Sequence, residues 1–110
     1  MAKVPYVMEF GMGVDLHGSS CTKAACRAVF DATRHSSLPL LREVQDRGGT
    51  LLVEVTVAVP DPGSVDLEAV KKELPHGTVT VRAVQGGLQV PGRETIIACA
   101  SIAVSAEYPG

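Results

Sequence analysis

From Val4 to Leu16 every even position is apolar: Val4, Tyr6, Met8, Phe10, Met12, Val14 and Leu16. The odd positions from Glu9 onward are Glu9, Gly11, Gly13, Asp15 and His17. A strict period of two belongs to a β-strand with one face in a core. Read this way, the even face is the core face. The odd face then presents a carboxylate, two bare backbone positions, a second carboxylate and an imidazole in one open row. Glycines within a strand often mark the close approach of a ligand or another backbone, so this row is the expected site.

The rest of the chain places that strand in a domain. At 110 residues the chain is one domain, residues 1–110. It has no Trp and only Tyr6, Tyr108, Phe10 and Phe30, so its core is aliphatic. After a break at His17-Gly18-Ser19-Ser20, Ser20 or Thr22 caps a first helix. Its expected inward face is Ala25, Cys26, Val29, Phe30 and Thr33, and Ala24, Ala28 and Ala32 form a small-residue edge suited to close approach. Ser36-Ser37-Leu38-Pro39 opens a short helix over Leu40, Leu41 and Val44, which Gly48-Gly49 ends.

A second strand puts Leu51, Val53, Val55, Val57 and Val59 on one face. Pro60-Asp-Pro-Gly63 is a turn, and a further helix has Leu67, Val70 and Leu74 inward. Pro75-His76-Gly77 stops it. Strands follow over Thr78–Val84 and Thr95–Ala106, the last apolar on both faces like a central strand.

The order β-α-(α)-β-α-β-β predicts an α/β chain of the α+β two-layer sandwich kind. Its four-stranded mixed sheet carries helices on one face, and its last two strands form a hairpin. Leu52, Ala58 and Ala98 are expected on the uncovered face, which a homo-oligomer, a trimer or larger, would bury. The order looks like that of the chorismate-mutase-like and YjgF-like folds, an analogy that carries no function.

Composition excludes several classes. Ten basic and twelve acidic residues give a net charge of −2, with no basic block interleaved with aromatics, so nucleic acid is not an expected partner. No apolar run approaches the ~20 residues that span a bilayer, and no signal-peptide pattern opens the chain. Cys21, Cys26 and Cys99 lack CxxC spacing and read as buried or half-buried free thiols of a cytoplasmic protein.

Asp15 and His17 share a strand face. A carboxylate beside an imidazole raises its pKa and fixes its tautomer, which suits acid–base catalysis. His17 is thus the expected proton carrier and Asp15 its orienter, with Lys23 as the third catalytic candidate. Glu9, Gly11, Gly13, Gly18, Ser19 and Ser20 are the ligand-binding candidates. Gly18-Ser19-Ser20 leads into a helix N-terminus that attracts an anion, with Lys23 beside it. The bland alternative is a capped turn with His17 and Lys23 in water.

Ser20-x-x-Lys23 also matches a serine–lysine nucleophile pattern, but the motifs that accompany that pattern are lacking. Gly11-x-Gly13 does not continue into a dinucleotide fingerprint. Glu9, Asp15, His17, His35 and His76 lack metal-motif spacing, so no metal site is assigned. No cofactor is identified.

Gly11-x-Gly13-x-Asp15-x-His17-Gly18 resembles the signature of a family of uncharacterised conserved hypothetical proteins named after a Listeria locus. Thr22-Lys23-Ala24-Ala25, Val59-Pro60 and Leu74-Pro75-x-Gly77 extend the similarity along nearly the whole chain. The resemblance implies a shared site at Gly11 to Gly18 and supplies no activity. The expected function is therefore an enzyme acting on a small anionic metabolite. The alternative is a non-catalytic ligand-binding or structural homo-oligomeric module.

Overall fold

The computed structural model describes residues 2–34, 38–74 and 77–109. Strand β1 (Ala2–Asp15) leads to helix α1 (Cys21–Thr33) and helix α2 (Leu38–Asp46). Strand β2 (Thr50–Val59) is followed by a 3₁₀ turn at Pro62–Ser64, the short helix α3 (Leu67–Lys71) and strand β3 (Thr78–Gln85). The two-residue strand β4 (Leu88–Gln89) precedes β5 (Ile96–Tyr108). The stop at Pro75-His76, the restart at Ser36-Ser37 and the side chains of Pro39, Leu40 and Leu41 lie outside the described residues.

The strands form one five-stranded mixed sheet in the order β1-β5-β2-β3, with β4 also paired to β5. β5 runs antiparallel to both β1 and β2, whereas β2 and β3 are parallel, as a strand–helix–strand crossover requires. β5 is central, which its two apolar faces predict. The expected hairpin of the last two long strands is not formed. β5 inserts between β1 and β2, and its hairpin partner is the short β4.

One layer of apolar side chains joins the helices to the sheet. β2 contributes Val53, Val55, Val57 and Val59, and β5 contributes Ile96, Ala98, Ala100 and Ile102. α1 contributes Cys21, Ala24, Ala25, Ala28, Val29 and Ala32, and α3 contributes Val70. Ala98 therefore belongs to the core face, not the uncovered one. Phe30, expected inward, is 52% exposed, and the Arg34 guanidinium lies 5.1 Å from its ring centroid. α1 is rotated so that its alanine stripe, rather than its larger residues, meets the sheet. Leu67 also lies outside the core.

The largest correction concerns β1. Gly11 and Gly13 pair with Ala100 and Ala98 of the core face, so the odd row faces α1. The even row, Met8, Phe10 and Met12, is 60%, 64% and 58% exposed on the opposite face. The pairing shifts between Pro5 and Val7, a bulge that reverses the side-chain alternation. Val4, opposite Ala106, is thus on the helix side despite its even number. A proline near the end of an edge strand fits such a bulge.

Candidate functional site

The motif residues meet where β1 ends and α1 begins. Asp15 is the last residue of β1 on the helix side, and it is 5% exposed. Its Oδ2 accepts the Ser20 backbone N–H at 2.9 Å. Its Oδ1 lies 3.5 Å from Arg27 Nη1, and that nitrogen also donates to the Val14 carbonyl at 2.6 Å. The carboxylate therefore sits at the positive end of the α1 dipole. The chain's own Asp15 thus places a negative charge at the start of α1.

Each neighbour in the turn has a defined task. A Cβ on Gly18 would lie 2.7 Å from Asp15 Oδ2, so any larger residue would push the carboxylate from its place. Ser20 caps α1, its Oγ accepting the Lys23 backbone N–H at 3.1 Å. Ser19 adopts φ +49°, a region unusual for a residue other than glycine. Its N–H and Oγ both donate to the Glu94 carbonyl, at 3.1 and 3.3 Å. Thr95 Oγ1 donates back to the Leu16 carbonyl at 3.0 Å. Thr22 Oγ1 accepts the Asp66 N–H at 2.9 Å. The turn thus ties β1, α1, the start of α3 and the loop before β5 together.

The two strand glycines serve helix packing. A Cβ on Gly13 would overlap the Ala24 carbonyl oxygen and the Ala28 nitrogen. On Gly11 it would approach the Ala28 carbonyl oxygen and the Ala32 nitrogen as closely. The backbone of α1 rests directly on these glycines, and Ala24, Ala28 and Ala32 keep the helix side equally thin. Gly11 and Gly13 therefore do not border an open crevice.

The expected catalytic set is not brought together. His17 is exposed and, among the described residues, makes no hydrogen bond or ion pair with Asp15. Past Asp15 the chain leaves the strand, so the two-residue rule for sharing a face no longer applies. The Lys23 side chain is exposed, and only its backbone N–H takes part in the junction. Glu9 is half-buried opposite Ile102, six strand residues from Asp15 and so roughly 20 Å away. No group of three His, Cys, Asp or Glu able to hold a metal occurs among the described residues. His35 and His76 lie outside them.

Four residues that sequence reasoning missed complete the junction: Arg27, Asp31, Glu94 and Thr95. Asp31 Oδ2 accepts the Met12 N–H at 3.0 Å. With Arg27 on the Val14 carbonyl, two α1 side chains cap backbone groups of the edge strand, which blunts that edge. Their i, i+4 spacing on α1 was the available signal. Both cysteines of α1 are at least half-buried, whereas Cys99 is exposed on the outer sheet face, contrary to its expected burial. Burial pushes the Cys26 thiol pKa up, and the Glu73 and Asp66 carboxylates add to the rise.

The family model for conserved hypothetical proteins (Lin0512_fam) matches residues 5–104, from the bulge of β1 almost to the end of β5. The chain belongs to that family. It is also similar to a crystal structure of an FtsZ-like protein of unknown function from Nostoc punctiforme. That protein is 36% identical, with a TM-score of 0.82 over 97% of this chain and 98% of that one. No curated protein matches the chain.

In this Lin0512_fam chain the outer sheet face is open, with Met8, Phe10 and Met12 exposed on it. Strand register sets its rows: Met12–Cys99–Ala58–Val84, Phe10–Ser101–Thr56–Arg82 and Met8–Ala103–Glu54–Thr80. Leu88, opposite Ile97, extends the apolar end. Lys3 Nζ meets Glu54 Oε1 at 3.0 Å, and Arg82 Nε donates to Thr56 Oγ1 at 3.0 Å. A groove of about 300 Å³ is lined by Glu54, Thr56, Thr80 and Arg82 with Val55 and Val81. No described helix is long and apolar enough to cross a membrane.

Proposed function

We propose that the chain is a non-catalytic, homo-oligomeric module whose working surface is the outer face of its sheet. The observation that carries this reading is the exposure of Met8, Phe10 and Met12 side by side on β1. With Val84, Leu88 and Cys99 they expose on the order of 500 Å² of apolar surface, in the range of the largest patch on a monomer, which is often functional. That is most of the roughly 800 Å² per partner of a stable interface.

A second copy is the occupant that fits. The charged residues that the register puts on this face are Lys3, Arg82, Glu54 and Glu107, two of each sign. Two such faces meet without net repulsion. The polar groups of the Gly11–Gly18 motif support the same reading. Asp15, Ser19 and Ser20 are bonded within the chain, and the glycines are filled by α1. The strand order and the helix-free outer face also support a fold of the chorismate-mutase-like and YjgF-like kind.

Light scattering across micromolar concentrations tests the reading. The parent chain should be an oligomer, and Phe10→Glu should be a folded monomer. A monomeric parent, or a Phe10→Glu variant that assembles as the parent does, would refute it.

A further inference from the structure

The outer face is lopsided, and the asymmetry bears on how two copies meet. Its three most exposed large apolar strand side chains, Met8, Phe10 and Met12, stand on β1. Beside them β5 presents Ala103, Ser101 and Cys99, and β2 presents Glu54, Thr56 and Ala58. The groove lies at the far side, between β2 and β3. One margin is a ridge and the other a trough, about 14 Å apart at the usual strand spacing.

Symmetry offers two ways to bring such faces together. An axis across the strands lays each margin on itself with heights reversed. Ridge then meets ridge, and the troughs face each other empty. An axis along the strands carries each residue to the opposite margin at the same height, so the ridge enters the trough. This holds for a two-fold pair and for a larger ring alike. Close packing at interface cores favours the second.

We propose that the copies associate about an axis running along the strands, with Phe10 of one subunit seated on the partner subunit's Arg82. This rests on the self-association proposed above. Row by row, Met12 then meets the partner's Val84 and Met8 the partner's Thr80. The middle row is Phe10–Ser101–Thr56–Arg82, and the roughly −30° angle of aligned sheets displaces the middle row least. Arg82 is already tethered through Nε to Thr56 Oγ1. Its guanidinium is thereby presented as a plate for the aromatic ring, a cation–π contact. The groove, roughly ten water volumes, has room for the ring.

Cross-linking reads the axis directly. In a Cys99→Ser background, Met12→Cys and Val84→Cys chains are made separately and also co-expressed, then oxidised with copper–phenanthroline. The expected result is a covalent dimer only from the co-expressed pair. Oligomers in which Met12→Cys chains link to one another, or in which the mixed pair does not link, overturn the axis and leave the self-association standing. A monomeric background chain overturns both.

Arg82→Ala should weaken association about tenfold and Phe10→Ala at least about a hundredfold, since two rings are lost per pair, with the double variant hardly weaker than Phe10→Ala alone. Additive losses would place the two residues apart.

Discussion

Replacing Gly13 with alanine is the sharpest test of how α1 sits on β1. The new methyl carbon would overlap the Ala24 oxygen and the Ala28 nitrogen and lie 2.7 Å from the Arg27 carbonyl carbon. Ordinary contact begins near 3.4 Å, and these are backbone atoms of a helix, which no rotamer change can move aside. α1 must therefore withdraw by about 1 Å along its middle, loosening Ala24, Ala28 and Val29 from the sheet. A gap of 0.5–1 Å forfeits a quarter to a half of each dispersion contact.

Overpacking of this kind costs about 1–3 kcal/mol, occasionally more. The entropy gained by replacing glycine offsets only about 0.4–1 kcal/mol. With rigid backbone on three sides the upper range applies, so a net loss of about 3 kcal/mol is expected. That lowers Tm by on the order of 10–20 °C. The assay is urea unfolding followed by far-UV circular dichroism at fixed protein concentration. Gly63→Ala is the internal control, because its added carbon meets nothing nearer than 3.7 Å; it should be neutral or slightly stabilising. Gly11→Ala together with Gly13→Ala should cost much less than the sum of the two, since one withdrawal of α1 accommodates both. A Gly13→Ala chain within about 1 kcal/mol of the parent would refute this packing argument.

Asp15→Asn should destabilise by about 1–2 kcal/mol, because the buried acceptor of the Ser20 N–H loses its charge toward Arg27 and the α1 dipole. His17→Asn should change stability by less than about 0.5 kcal/mol, and equal losses in the two urea midpoints would restore the Asp15–His17 pair. The Tyr6 and Tyr108 hydroxyls lie 2.7 Å apart. That hydrogen bond, followed by desolvation, raises the Tyr6 pKa above its ordinary 10.0. The neutral form is favoured in the folded chain, so the stabilisation is complete below pH 10 and is lost as pH rises through the folded pKa. Phenolate absorbance in Tyr108→Phe should show Tyr6 ionising at lower pH than in the parent, and an unchanged titration would count against the bond.

Much of the fold was legible because its patterns have a single physical reading. The alternation of Val53, Val55, Val57 and Val59 admits one buried face, and β2 has it. β5, apolar along most of its length, lies inside the sheet, paired with β1, β2 and β4. β1 was misread because alternation reports that one face leaves water without reporting what covers it. Gly11 and Gly13 matched the thinness of Ala24, Ala28 and Ala32, and that match of small residues on strand and helix was the better guide to the core face. The reversal at Pro5 was carried only by a proline within a strand. The Asp15–His17 pairing failed because it assumed that the strand continues to residue 17.

The same correction inverts the usual distribution of size. Among the described residues the buried core is built mostly of valine and alanine, with Val29, Val44, Val55, Val57, Val59 and Val70 buried and Ile96 and Ile102 the largest beside them. Phe10, Phe30, Met8 and Met12 are exposed. A layer of valine, alanine and glycine brings backbones close but removes little apolar area per residue. Burying one Phe or Met side chain contributes roughly 1.5–3 kcal/mol. Covering Met8, Phe10 and Met12 therefore contributes several kcal/mol per subunit, comparable with the 5–15 kcal/mol of a whole domain. On the proposed reading, folding and assembly are coupled by mass action, and Tm rises with protein concentration. On that reading the thin inner layer and the bulky outer ridge answer one another, the large side chains of β1 finding their core between copies.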